Sequence, residues 1–121
     1  MRPRLYLSGP ITKGSRTENF SVACNTHTAL LGKGFAVMNP MLSMMHPDAW
    51  TIPHATWLES DLPWVAVSDV VFRLPGESAG ADEECQFAET KGIPVFTRWH
   101  ELMAWLQTWQ AAQPRSVANG T

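Results

Sequence analysis

Short apolar runs alternate with longer amphipathic stretches along the chain. The runs at 5–8, 35–38, 69–74 and 93–96 have the length and the branched or aromatic content of buried strands. In the stretches between and after them, apolar residues recur every three or four positions, which predicts four helices. Strands that alternate with helices form parallel sheets with right-handed crossovers. The pattern therefore predicts a single α/β domain with a doubly wound parallel sheet.

Local signals place the helix ends. The first helix is expected to begin at a cap on Thr17 or Asn19 and to end near residue 33, at the glycines that follow. The second is predicted over 56–67, and Pro63 within it indicates a late start or a kink. The third runs from residue 80 or 81 to 91, and the fourth over 101–110, with a stripe of Leu and Trp.

Two segments fall outside this alternation. Residues 40–56 hold three Pro, three Met and two His, and they predict a long irregular connection of the kind that often covers a site. Residues 114–121 are polar and end the chain, which predicts a frayed tail beyond a domain at 1–113.

Composition limits the function classes. The formal charge of −2 and a pI near 6.0 argue against a protein that binds duplex nucleic acid. No apolar run reaches the roughly 18 residues of a membrane span, and the start of the chain is too weakly apolar for a signal peptide, so we expect a cytoplasmic protein. Cys24 and Cys85 match no metal spacing and are expected to be reduced and buried on helices.

Glu84 is the strongest candidate for chemistry. It shares a helical stripe with Ala81, Cys85 and Ala88, whereas Asp82 and Glu83 point elsewhere. A carboxylate on an inward stripe is costly unless something uses it. The helix N-terminus favours its ionised form, and an ionised, partly desolvated carboxylate is what a nucleophile requires. The alternative is a first-turn Glu that only complements the helix dipole.

Two further candidates flank it in the sequence. The segment from Ser78 to Gly80 precedes the same helix, and its amides and hydroxyl suit a phosphate or another anion. An ordinary N-cap followed by a turn glycine is equally consistent with it. Asp61 is a second carboxylate that could divide acid and nucleophile roles with Glu84. Alternatively, it caps a helix that is broken at Pro63.

The carboxyl ends of parallel strands meet at one edge of the sheet, where ligands bind. Candidate binding residues at the ends of the first two strands are Tyr6, Ser8, Gly9, Pro10, Ile11 and Asn39. Aromatic side chains in or beside the long connection, Trp50 and Trp57, could stack on a base, although loop packing also explains them. His46 and His54 form no recognisable metal set, so neither a metal nor another cofactor is predicted.

Taken together, these motifs resemble the nucleoside 2-deoxyribosyltransferase-like superfamily, and most closely a small phage and bacterial branch of it. The resemblance covers residues 4–97, and its most specific part is Ser78-x-Gly80-Ala81-x-x-Glu84 in register with Asp61. Its other motifs are Tyr6-Leu7-Ser8-Gly9-Pro10-Ile11, Asn39-Pro40, Ser68-Asp69-Val70-Val71 and Leu74-Pro75-Gly76.

The resemblance implies a flavodoxin-like or Rossmann-like fold and cleavage of an N-glycosidic bond. In relatives, the Glu that matches Glu84 forms a glycosyl-enzyme intermediate, and the Asp that matches Asp61 assists departure of the base. Hydrolase relatives bind a 5′-phosphate through the loop that Ser78 and Gly80 match, which favours a nucleoside 5′-monophosphate N-hydrolase. Thr12 stands where those hydrolases carry Arg. Relatives form dimers or larger assemblies, and Trp99, Trp105 and Trp109 would suit such an interface.

Two alternatives to the hydrolase remain open. A base-exchanging deoxyribosyltransferase would use the same intermediate and differ only in the acceptor. A nucleotide-binding protein without turnover would use the same pocket for binding alone.

Overall fold

The structure is a computed structural model and describes residues 1–114. Its elements follow the predicted alternation of strands and helices. They are β1 (Arg4–Ser8), α1 (Arg16–Lys33), β2 (Ala36–Met38), α2 (His54–Ala66), β3 (Val70–Arg73), α3 (Ala79–Thr90), β4 (Val95–Phe96) and α4 (Trp99–Ala112). Two 3₁₀ helices, Pro40–Met45 and Ala49–Thr51, lie between β2 and α2.

The four strands form one parallel sheet in the order β2-β1-β3-β4. The chain builds outward from β1 to β2 and then returns to the other side of β1, so the topological switch point lies between β1 and β3. Helices cover both faces of the sheet, which confirms the predicted doubly wound α/β domain. In such sheets a ligand crevice forms outside the carboxyl ends of the strands at the switch point.

Alternation along β1 divides the core into two layers. Leu5 and Leu7 face one cluster, which takes in buried residues of α1 and α4 such as Leu30 and Leu102. Tyr6 belongs to the other cluster, with Val65 of α2 and Ala88 of α3. The site described below lies on this second face, because Tyr6 and Ser8 are the β1 residues that point toward it.

Several predicted boundaries were wrong. The N-cap of α1 is Ser15, whose side chain accepts a hydrogen bond from the Glu18 amide, and not Thr17 or Asn19. The side-chain amide of Asn19 instead donates to the carbonyl oxygens of Ile11 and Lys13 and holds the β1–α1 loop. Helix α2 begins at His54, earlier than predicted, and continues through Pro63.

The connection between β2 and α2 is more regular than predicted, because it contains the two 3₁₀ helices. Cys24 and Cys85 lie on helices as free thiols, but they are half-buried and not fully buried. The predicted tail falls, apart from Pro114, outside the described residues. Within residues 1–114, none of the helices combines the length and the apolar character needed to cross a bilayer.

The tryptophans of α4 are only partly available to a partner. Trp105 packs against the core and stacks on Phe35 and Trp109, with ring centroids 6.5 and 6.4 Å away. Trp99 is 36% exposed and meets Phe72 edge to face. A subunit interface through this helix stays a prediction.

Candidate functional site

A cavity of about 440 Å³ lies outside the carboxyl ends of β1 and β3. One side consists of the loop after β1 and the start of α1, and a second consists of the β2–α2 connection and α2. The first turns of α3 form the third side. Five of the predicted site residues line the cavity together with Glu84, and they are Gly9, Ile11, Asp61, Ser78 and Gly80.

Glu84 lies in the second turn of α3 and is only 7% exposed. The Tyr6 hydroxyl donates a 2.6 Å hydrogen bond to its Oε2, and the Ser8 hydroxyl donates a 2.7 Å hydrogen bond to its Oε1. Ala81 and Ala88 of the same stripe are buried beside it. The predicted inward stripe is therefore present, and a surface Glu that only complements the helix dipole does not describe this side chain.

The electrostatics of Glu84 reflect two opposing effects. Burial raises the pKa of its carboxyl, while the hydrogen bonds from Tyr6 and Ser8 lower it by stabilising the ionised form. The pKa of Glu84 is raised overall, so its position near a helix start does not by itself keep the carboxyl strongly acidic. Burial and the neighbouring Glu84 charge raise the pKa of Tyr6, which keeps the phenol protonated as a donor.

Asp61 lies in the interior of α2, so it does not cap a helix broken at Pro63. Its carboxyl is half-buried, and desolvation raises its pKa to about 6, although the neighbouring hydroxyl of Tyr6 acts in the opposite direction. The charge of Asp61 in turn raises the pKa of Glu84. The fold thus brings two carboxyl groups into one cavity, both with pKa values above the ordinary range.

Ser78 is the N-cap of α3, and its Oγ accepts a hydrogen bond from the Ala81 amide at 3.1 Å. The first amides of a helix have no acceptor within the helix, so those of Ala79 and Gly80 remain available to an anion. A Cβ on Gly80 would lie 2.9 Å from Cε1 of His54. Gly80 lies within α3 and has no positive φ, so no turn requires it, and a side chain there would meet only the exposed ring of His54.

Four predicted binding residues do not line the cavity: Tyr6, Ser8, Pro10 and Asn39. Tyr6 and Ser8 lie behind Glu84 as its hydrogen-bond donors. Pro10 packs against Gly76, where a Cβ would lie 2.9 Å from its Cγ. Asn39 is buried, accepts a hydrogen bond from the Met41 amide and lies 3.3 Å from Nδ1 of His27. Substrate contact by these four residues stays a prediction.

Three charged or titratable residues line the cavity that were not predicted from the sequence as site residues. Lys13 and Arg16 follow β1; the first pairs with Glu77 at 3.5 Å, and the second places its guanidinium 4.0 Å from the ring centroid of Trp50. Their position after a strand end was the available signal. His54 also lines the cavity, and its Nε2 lies 3.6 Å from Oε1 of Glu83.

Within the part of the chain that the structure describes, no group of three or more His, Cys, Asp or Glu side chains is arranged to hold a metal ion. The cavity itself combines three chemical features. It presents a buried carboxylate held by two hydroxyl donors, a carboxyl group that titrates near neutral pH and a helix start suited to an anion.

Comparison with solved structures finds the same fold in a 2-deoxyribosyltransferase from the psychrotolerant bacterium Bacillus psychrosaccharolyticus. The TM-score is 0.60 at 19% sequence identity, and the match covers 76% of this chain and 69% of the other. The shared fold is the one that the sequence resemblance predicts. No curated protein matches the sequence. Residues 3–97 match the model of a domain of unknown function, and the chain therefore belongs to the DUF4406 family.

Proposed function

We propose that the protein is an N-glycosidase that hydrolyses a nucleoside or deoxynucleoside 5′-monophosphate and releases the free base. The observation that carries the proposal is Glu84, a buried carboxylate whose two oxygens are each held by a hydroxyl donor at the wall of a cavity. Burial at this position is costly, and a nucleophile gives a reason for it. The shared fold with a 2-deoxyribosyltransferase supports the same class of chemistry.

In the proposed reaction, one carboxylate oxygen of Glu84 attacks the anomeric carbon of the sugar. The bond between that carbon and the base nitrogen breaks, and its electron pair leaves with the base. A water molecule then attacks the same carbon and releases Glu84, so that two displacements give net retention. Tyr6 and Ser8 hold the carboxylate in one orientation and favour its ionised form.

Asp61 is assigned to the departing base. Because its pKa is raised to about 6, a substantial fraction of its carboxyl groups is protonated in weakly acidic solution. The protonated form can transfer its proton to the base nitrogen as the glycosidic bond breaks. The resulting carboxylate can then accept a proton from the attacking water, which returns the site to its starting state.

The phosphate of the substrate is assigned to the start of α3. The amides of Ala79 and Gly80 and the hydroxyl of Ser78 are suited to an anion there. Lys13 lines the same cavity and is paired with Glu77, the residue before Ser78, so its ammonium group is close to this turn. Lys13 would supply the positive charge that the hydrolase relatives have from an Arg at the position of Thr12.

The test is an incubation of the protein with a panel of nucleosides and their 5′-monophosphates, followed by measurement of released base. We expect release from monophosphates, and a loss of roughly 10³-fold or more in Glu84→Gln. Glu89→Gln changes an exposed carboxylate on the same helix and serves as the matched control. Release from nucleosides but not from monophosphates would remove the phosphate role of Ser78.

Base exchange is the second candidate, and the similarity to a 2-deoxyribosyltransferase favours it. A transferase would pass the sugar from Glu84 to a second base and not to water. Addition of a second free base to the incubation distinguishes the two. If a new nucleoside or nucleotide forms faster than free sugar, the hydrolase assignment is wrong. A wild-type protein that binds the panel but releases no base from any member would instead be a binding module.

A further inference from the structure

The residues of α2 that line the cavity are regularly spaced along one face of the helix. His54, Trp57, Leu58 and Asp61 follow one another at the spacing i, i+3, i+4 and i+7, and all four line the cavity. Residues at these positions share one side of a helix. Trp57 therefore lies one turn before the carboxyl group assigned to the departing base, on the same side of α2.

The indole of Trp57 is held in place. Its Nε1 donates a 3.1 Å hydrogen bond to the carbonyl oxygen of Ala49, in the second 3₁₀ helix. Trp50, the other indole of the cavity, differs because the guanidinium of Arg16 lies over its ring. Trp57 is thus the ring whose orientation is fixed, and no cation of residues 1–114 covers its face.

The wall around Trp57 is mostly apolar. The remaining side chains that the connection contributes to the cavity are Pro40, Met44, Ala49, Trp50 and Ile52. Within residues 1–114, the polar groups that this wall presents to the cavity are those of Asp61 and His54 and the indole N–H of Trp50, and the guanidinium of Arg16 lies against Trp50. A planar ring would be bound here by stacking and by apolar contact.

We infer that Trp57 is a specificity-determining residue that stacks on the nucleobase, and that the site selects planar bases by size with little reading of their hydrogen-bond pattern. The inference rests on the proposed function, because the position of the base is taken from the role of Asp61. Its consequence is a substrate class: nucleotides of different bases but equal ring size should be accepted similarly. A site built on hydrogen bonds to base edges would reject the mismatched base strongly.

Binding measurements test this inference independently of turnover. Titration calorimetry in the Glu84→Gln background uses dAMP, dGMP, dCMP, dTMP and 2-deoxyribose 5-phosphate, which lacks a base. Trp57→Leu removes the ring, and Trp57→Phe keeps a ring but loses the hydrogen bond to Ala49. Trp64→Leu is the matched control, since Trp64 lies on the same helix, is 52% exposed and does not line the cavity.

We expect Trp57→Leu to raise the dissociation constants of dAMP and dGMP by about fivefold or more, because one stacked ring is lost. Trp57→Phe should lose less affinity for these two nucleotides, and Trp64→Leu should lose none. No variant should change the affinity for 2-deoxyribose 5-phosphate. The dissociation constants of dAMP and dGMP should agree within about tenfold. That last comparison needs no change at Trp57 and tests how little the site reads the hydrogen-bond pattern, while Trp57→Phe tests the stacking if Trp57→Leu does not fold.

Three results would overturn the inference. The first is a loss of affinity in Trp57→Leu that is smaller than about fivefold, and the second is an equal loss of affinity for 2-deoxyribose 5-phosphate. The third is a difference of more than about tenfold between the dissociation constants of dAMP and dGMP. The proposed function fails separately, if the wild-type protein binds these nucleotides with the expected dependence on Trp57 but releases no base from any of them.

Discussion

The phenol oxygen of Tyr6 lies 2.6 Å from Oε2 of Glu84, although 78 residues separate the two in the chain. Tyr6 is fully buried in β1, and Glu84 is on α3, the helix that follows the neighbouring strand β3. The Ser8 hydroxyl completes the arrangement on the other carboxylate oxygen. The orientation of the proposed nucleophile is therefore set by β1, an inner strand of the sheet, and not by a loop.

Tyr6→Phe removes one donor and leaves a buried carboxylate oxygen without its partner. A hydrogen bond to a charged group contributes about 1.5–3 kcal/mol, so we expect kcat/KM to fall roughly 10- to 100-fold. The pKa of Glu84 should also rise, because a bond that lowers it is lost. The acid limb of the pH profile of kcat/KM should then move to higher pH.

Ser8→Ala is the matched comparison, since it removes the donor to the other oxygen. It should shift the acid limb in the same direction. If both variants lose activity with the limb unmoved, Glu84 is not the group that must be ionised for the reaction.

Asp61 should control the alkaline limb. Its pKa is raised to about 6 by burial, and the proposed role requires the protonated form, so kcat/KM should decline as the pH rises above about 6. Asp61→Asn cannot donate a proton and should lower kcat/KM by about 10²-fold or more. The remaining activity should lack the alkaline limb. An unchanged limb in this variant would assign it to another group.

The same raised pKa predicts how stability depends on pH. Folded Asp61 binds its proton more tightly than the unfolded chain does, with a pKa of about 6 against a usual value of 3.8. Wild-type stability relative to Asp61→Asn should therefore be highest below about pH 4 and should decrease as the pH rises through 6.

At pH 8, Asp61→Asn should be the more stable protein. Because the carboxyl is only partly buried, we expect a difference of about 1 kcal/mol, or about 4 °C in Tm. Thermal unfolding of both proteins at pH 4 and pH 8 measures it. A difference between the two proteins that is the same at both pH values would contradict the raised pKa.

Gly9 is needed for packing at the end of β1. A Cβ at this position would lie 2.9 Å from Cβ of Leu74 and 3.2 Å from its Cδ1. The first of these atoms is not at the mobile end of the side chain, so backbone would have to shift. We expect Gly9→Ala to reduce the free energy of unfolding by about 1–3 kcal/mol.

Gly32→Ala provides the opposite case. Gly32 lies within α1, and nothing is within 4 Å of a Cβ built there. Alanine favours a helix over glycine by about 0.5–1 kcal/mol, so this variant should be more stable than the wild type. Denaturant unfolding of the two variants should give shifts of opposite sign. Equal shifts would mean that contact with Leu74 does not determine the choice of glycine at position 9.

Periodicity in the sequence was enough to predict the fold class, because the spacing of apolar residues within each short segment distinguishes strands from helices. The ends of elements were less predictable. Ser15, Thr17 and Asn19 are all residues that can cap a helix. What decides among them is the path of the loop after β1, where Asn19 bonds to the carbonyl oxygens of Ile11 and Lys13. That path depends on tertiary contacts.

By itself, the sequence determined that Glu84 belongs to the inward stripe of α3 and that Ser78 precedes that helix, since both follow from spacing within one segment. Tertiary structure decided that Tyr6 and Ser8 hold Glu84, that Asp61 and Trp57 share its cavity, and that Pro10 and Asn39 lie elsewhere. The physical reason is that burial and hydrogen-bond distance join residues far apart in the chain. They are set by the strand order β2-β1-β3-β4, which places the ends of β1 and β3 side by side.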